Sequence, residues 1–250
     1  MNHLTRLTSN GPIGTLTLNR PEARNALSID LLGSLHDRAD EIARRDDLRV
    51  LILTGEGKSF CAGMDLKAVL GDDKTAITLL TMLADLCVKI RSLPLAVLGR
   101  VNGAAIGGGC GLVCICDLAI THADSKMGFP EVGMGVCPAV VAPWLIRRVG
   151  AGKARRILLM GGLMTGQQAF DTGIVTGLVP GADDLDDAVA QTAERLASGG
   201  AQALQATKNH LNNLDGSLDR DQARQGAELS ARVLALPESR ARLQAALAGR

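Results

Sequence analysis

Ser59-Phe60-Cys61-Ala62-Gly63-Met64-Asp65-Leu66 and, further along, Asn102-Gly103-Ala104-Ala105-Ile106-Gly107-Gly108-Gly109-Cys110-Gly111 say more about this 250-residue chain than any other part of it. Each follows an apolar run that reads as a buried strand, Val50-Leu51-Ile52-Leu53-Thr54 and Leu95-Ala96-Val97-Leu98-Gly99, and each leads into a segment able to start a helix. Ligands gather at strand ends of this kind. Glycine lets the main chain approach a ligand, and the first N–H groups of a helix lack partners, so two such turns are able to hold a developing oxyanion jointly. Tight packing of glycine turns accounts for the triple glycine as well.

Outward from these turns the same unit repeats: strand, glycine turn, helix. Leu4, Leu7, Ile13, Leu16 and Leu18 alternate around Asn10-Gly11-Pro12, the pattern of a β-hairpin at a sheet edge. Ser28 is placed to cap a helix whose Ile29, Leu32, Leu35, Ala39 and Ile42 recur at helical spacing. A second helix is expected from Lys74 to Ile90, with Pro94 separating it from the next strand. Cys116-Asp117-Leu118-Ala119-Ile120 reads as a third strand, and the turn-rich Met127-Gly128-Phe129-Pro130-Glu131 and Val132-Gly133-Met134-Gly135 suit a functional loop. From Pro138 the chain reads as helical, first over 138–148, interrupted by a short strand from Ile174 to Val179. The outcome is an α/β spiral with a helical tail.

Composition narrows the function. Lys plus Arg is 27 against 26 Asp plus Glu, a net charge of +1, and aromatics are 2% with no Tyr, so neither a nucleic-acid surface nor a base-stacking platform is expected. Hydrophobic residues make up 46%, ample for a core. No apolar stretch reaches the roughly 18 residues that span a bilayer. The six cysteines come with no visible signal peptide, so reduced thiols and a cytoplasmic location are expected. Cys110, Cys114 and Cys116 lack a C-x-x-C pair or a nearby His, and no metal is expected there.

Several chemistries drop out on spacing. Gly57-Lys58-Ser59 ends like a phosphate loop, but Ile52 stands where its first glycine belongs. A dinucleotide fingerprint from Gly107 requires glycine at Leu112. No G-x-S-x-G elbow occurs, and His3, His36, His122 and His210 suit surface or helix positions.

Over essentially its whole length the chain resembles the crotonase superfamily, the enoyl-CoA hydratase/isomerase group. The motifs that carry the likeness are Leu18-Asn19-Arg20-Pro21-Glu22-Ala23-Arg24-Asn25-Ala26-Leu27, Phe60 through Leu66, Asn102-Gly103 through Gly109, Cys116-Asp117-Leu118-Ala119 and Phe129-Pro130-Glu131. It implies a crotonase-type α/β spiral of ββα units over 1–195, and a helical C-terminal region over 196–250 serving trimerisation and site closure. It also implies a homotrimer or homohexamer, and an acyl-CoA thioester substrate with coenzyme A as part of that substrate rather than a separate cofactor.

By the same resemblance the oxyanion donors are the backbone N–H groups of Met64 and Gly108, and Glu131 is the acid/base. Backbone around Arg24, Ala26 and Ala62 is expected to hold the adenine end of CoA, and Lys67 to meet its phosphates, although an exposed helix-start lysine explains Lys67 as well. Asp65 and Gly107 belong to the same binding turns, with Asp65 and Asp117 expected to cap structure rather than transfer protons. Glu131 too has a structural alternative, capping the segment that follows it. Its pKa is expected to rise in a pocket lined by Met127, Met134 and Val136.

One position departs from the pattern. Two-carboxylate hydratases carry a glutamate where this chain has Gly111. Glu131 is then the sole acid/base of a 2-enoyl-CoA hydratase, with Gly111 opening space for a polar substrate group or a water. Proteins of the methylglutaconyl-CoA hydratase type share this form. A Δ3,Δ2-enoyl-CoA isomerase, which needs one base only, and a non-catalytic binding or assembly module remain the alternatives.

Overall fold

The computed structural model describes residues 4–248, so His3 lies outside it. Strands β1 (Thr5–Asn10) and β2 (Ile13–Leu18) pair antiparallel around Gly11-Pro12, with Gly11 at φ +54°. Helix α1 (Ile29–Ala43) opens on Ser28, whose Oγ accepts the Leu31 N–H at 3.2 Å.

Three units of one design follow, each a long strand and then a three-residue one. They are β3 (Val50–Gly55) with β4 (Ser59–Cys61), β5 (Ala96–Val101) with β6 (Ala104–Ile106), and β7 (Leu118–His122) with β8 (Lys126–Gly128). Helices α2 (Leu66–Gly71) and α3 (Asp73–Arg91) join the first unit to the second, and α4 (Gly108–Ile115) joins the second to the third. The remainder is α5 (Ala142–Val149), α6 (Ala151–Met160), β9 (Leu163–Thr165), α7 (Gly166–Thr172), β10 (Gly177–Val179), α8 (Leu185–Ala197), α9 (Ala201–Leu214), α10 (Arg220–Leu234) and α11 (Pro237–Ala248).

The long strands, joined at one edge by the three-residue β10, make one sheet in the order β1-β2-β3-β5-β7-β10, parallel from β2 onward. The short ones make a second, β4-β6-β8-β9, parallel as far as β8. Alternation along the long strands assigns their faces. Leu51 and Val97 join Leu31, Leu35, Leu79 and Leu83 in the main core, whereas Val50 and Leu98 join Leu185 and Val189 of α8 in a smaller cluster on the other face. The expected division after residue 195 therefore falls inside a helix that belongs to the large sheet.

The C-terminal helices fold back onto the spiral. Helix α10 packs along α3, and α11 packs against α2 and the turn at 132–134. Lys208 of α9 is buried, donating to Leu95 O and pairing with Asp117, both at 2.8 Å. Asp117 also accepts from Val97 N and Arg91, so it ties strand to helix and caps nothing.

Two expected elements are shorter than read. Pro143 fits only the first turn of a helix, so α5 starts at Ala142, after a turn in which Val141 N and Ala142 N both donate to Pro138 O. Ile174 and Val175 close onto Ala169 O at the end of α7, leaving β10 three residues.

Two contacts bring the glycine turns together. Gly63 has φ +87°, and a Cβ on it would come 2.5 Å from Ile106 O. A Cβ on Gly109 would overlap the Cys61 carbonyl. Gly109→Ala is therefore expected to lower stability by about 2–3 kcal/mol through forced backbone displacement. Gly33→Ala, whose new methyl meets only Met82 Cε at 4.0 Å in mid-helix, is expected to raise it by roughly 0.5–1 kcal/mol. Urea denaturation of both variants checks the contrast.

Candidate active site

The three short parallel strands β4, β6 and β8 each release the chain into one wall of a single cavity. After β4 come Ala62, Gly63 and Met64; after β6, Gly107 and Gly108; after β8, Pro130 and Glu131. The cavity opens to solvent. Its remaining walls are mostly apolar.

Leu27 and Met64 form a parallel bridge in which Leu27 N donates to Gly63 O at 2.8 Å and Asp65 N donates to Leu27 O at 3.0 Å. That pairing uses the amides on either side and leaves the Met64 N–H free. Gly108 is the first residue of α4, and its N–H precedes every intrahelical acceptor. Among the described residues, neither amide has an acceptor. The two turns touch here: a Cβ on Gly63 would sit 3.5 Å from Gly108 N, and one on Gly108 would sit 3.8 Å from Met64 Cγ. Two unpaired donors from separate turns thus line one cavity, at the positive end of a wholly buried helix.

Glu131 begins the 3₁₀ turn Val132–Met134, and its carbonyl accepts from Met134 N and Val136 N at 2.9 Å. Its carboxylate makes no capping bond. Instead Oε1 rests over Gly107, where a Cβ would come within 2.5 Å, and Oε2 is buried with no partner. Gly107, at φ +54° and ψ −119°, holds a conformation that suits glycine, so this one residue supplies both the turn and the space. Burial pushes the Glu131 carboxyl up to about 7 against its own backbone hydrogen bond. Met134 and Val136 line the cavity as expected, but Met127 does not: it is buried in β8 as part of the main core.

The other expected residues divide. Ala62 is in the cavity wall; Arg24 and Ala26 are outside it. Arg24, left-handed at φ 53°, accepts the Ala62 N–H on its carbonyl at 3.0 Å, and Ala26 O accepts from Arg20 at 3.1 Å. Lys67 is exposed on α2. Asp65 precedes α2 without capping it, because its carboxylate pairs with Arg20 at 3.0 Å. Five of the six cysteines are buried; Cys61 donates to Asn25 O, and burial pushes its thiol up to about 12.

Gly111 opens no space to the cavity. A Cβ there would overlap Val141 Cγ1, so the Val141 side chain fills the room and lines the cavity in its stead. Val141, Leu83 of α3 and Ser230 of α10 are wall residues without a sequence motif. Val141 comes from the turn before α5 and the other two from helices remote in sequence, and apolar spacing marks Val141 and Leu83 only as core.

A family model described as Enoyl-CoA hydratase/isomerase matches residues 8–247. The chain is 35% identical over 197 residues to 2,3-dehydroadipyl-CoA hydratase of Escherichia coli K12, covering 78% of this chain and 76% of that protein. The crystal structure of an enoyl-CoA hydratase from Mycobacterium avium matches with a TM-score of 0.89 at 32% identity, over 100% of this chain and 98% of the other. An enoyl-CoA hydratase from Bacillus anthracis matches with a TM-score of 0.80 at 29% identity, over 89% and 90%. The spiral of ββα units with a helical C-terminal region is their fold also.

The buried carboxyl links stability to pH. Glu131 titrates near 4.5 when free and about 7 in the fold, so its protonated form is the one the fold favours. Its contribution is complete below about 4.5, declines as pH rises, and is lost above about 7. At roughly 1.4 kcal/mol per pH unit the displacement amounts to about 3 kcal/mol. Glu131→Gln, which never ionises, is therefore expected to exceed the parent by up to about 3 kcal/mol at a pH well above 7 and to match it in acid. Denaturation at the two pH values measures this, and equal stability at the higher one would contradict it.

Proposed function

Because this chain belongs to the enoyl-CoA hydratase/isomerase family, we propose that it hydrates a 2-enoyl-CoA thioester, with Glu131 as the sole acid/base. One observation carries the reading: a carboxylate whose buried Oε2 has no partner shares a cavity with two residues whose backbone N–H groups are unpaired. In this mechanism the thioester oxygen accepts from Met64 N–H and Gly108 N–H. Water adds to the β-carbon as Glu131 takes its proton, negative charge gathers on the thioester oxygen, and Glu131 returns a proton to the α-carbon. A pKa of about 7 suits a group that must both accept and donate. Each oxyanion donor is worth about 3–4 kcal/mol of transition-state stabilisation.

Isomerisation between 3-enoyl and 2-enoyl thioesters is the second reading. It is favoured by the cavity wall, where Glu131 is the only carboxylate among the described residues and Val141 fills the place beside Gly111. One base moving a proton between two carbons needs nothing opposite it.

For the rest of the substrate, backbone near Arg24, Ala26 and Ala62 receives the adenine end of CoA and Lys67 its phosphates. Assembly as a homotrimer or homohexamer is supported by the exposed apolar Leu159, Met160, Leu163 and Phe170.

An acyl-CoA panel followed by absorbance separates the readings. A hydratase consumes the 2-enoyl chromophore, an isomerase creates it from a 3-enoyl thioester, and a non-catalytic module does neither. Glu131→Gln is expected to lower kcat by about 10²–10⁴-fold. With the ionised carboxylate as base, kcat/KM climbs as pH rises through about 7 and then levels. Turnover retained in the variant would remove Glu131 from the chemistry.

A further inference from the structure

The wall beside the proposed reacting carbons is made of methyl groups. Gly111 lies one helical turn past Gly108 on α4, and at 1.5 Å per residue that is about 4.5 Å along the helix from the Gly108 amide. Val141 occupies the room next to it, its Cβ lying 3.2 Å from where a Gly111 Cβ would be. The residue is 3% exposed, and its N–H donates to Pro138 O at 3.2 Å. Neither a water nor a polar substrate group has a place there.

The rest of the lining is as poor in polar partners. No Lys, Arg, His, Asn or Gln is among the described residues that form the wall, and Glu131 is its only charged group. Ser230 contributes a hydroxyl, but that Oγ already donates to Cys137 O at 2.8 Å and accepts from Ala139 N at 3.2 Å. Leu80, Leu83, Val136 and Val140 complete an apolar surface.

On the acyl-thioester reading of this site, we infer that the cavity selects an uncharged aliphatic acyl group and rejects one bearing a second carboxylate. A terminal carboxylate entering it exchanges water for hydrocarbon, meets no cation among the described wall residues, and faces the like charge of ionised Glu131. An alkyl chain pays no such penalty and gains from burial. Val141, wedged against Gly111, lines that side of the cavity with methyl groups.

The test uses the unmodified protein and a matched pair of six-carbon thioesters, hex-2-enoyl-CoA and its ω-carboxylated counterpart. Turnover is followed by absorbance, and binding of the saturated analogues, hexanoyl-CoA and adipoyl-CoA, by calorimetry. The uncharged member is expected to be favoured by about 100-fold or more in kcat/KM and in affinity. Equal use of the two, or preference for the carboxylated one, overturns the inference. Selective binding without turnover supports the inference and overturns the proposed catalysis; turnover without selectivity does the reverse.

Discussion

Everything at the candidate site depends on how closely two stretches of backbone approach each other. The turn after β4 and the start of α4 are in contact main chain to main chain, with Gly63 against Ile106 O and Gly109 against the Cys61 carbonyl. A side chain at either position would push the turns apart and separate the Met64 and Gly108 amides. The parallel pairing of β4, β6 and β8 holds this arrangement at its base. A sheet of three-residue strands is weak by itself. Each short strand is anchored because it continues a long strand of the large sheet, whose faces are buried by the main core and α8.

That anchoring lets the site keep groups that would be satisfied elsewhere in a folded chain. Glu131 Oε2 is buried without a partner, and two residues of the cavity wall, Met64 and Gly108, have unpaired amides. Such groups weaken the fold and are retained where chemistry uses them. The polar groups around them are fully engaged by contrast: Asp65 with Arg20, Asn25 with Glu56 O and Ser59 O, Ser230 with Cys137 O and Ala139 N. Unspent hydrogen-bonding capacity in the cavity is concentrated on the residues that face its interior. The low dielectric that raises the Glu131 pKa also strengthens any hydrogen bond the two amides make to an entering oxygen.

Much of this was legible in the residues. Ser28, with the apolar spacing after it, marked α1; Asn10-Gly11-Pro12 marked the hairpin; the glycine turns marked where two stretches of backbone meet at the cavity. Asp65 shows where reading along the chain stops. A carboxylate just before a helix suggests a cap, and only the fold brings Arg20 beside it as a stronger partner. The short strands were invisible for a similar reason: three residues contain too little alternation to register, so β4, β6, β8 and β9 are defined by their neighbours rather than by themselves.

The sequence by itself determined the family and the order of strand, turn and helix, because motif identity and hydrophobic period are local properties. Tertiary structure alone decided what those residues face. Gly111 read as an opening, and Val141, thirty positions away, closes it. Glu131 read as an acid in an apolar pocket or as a cap, and the fold left its Oε2 without a partner. Both outcomes turn on which side chain from a distant segment enters a given volume. Packing sets that at the scale of a single methyl group, and no local pattern encodes it.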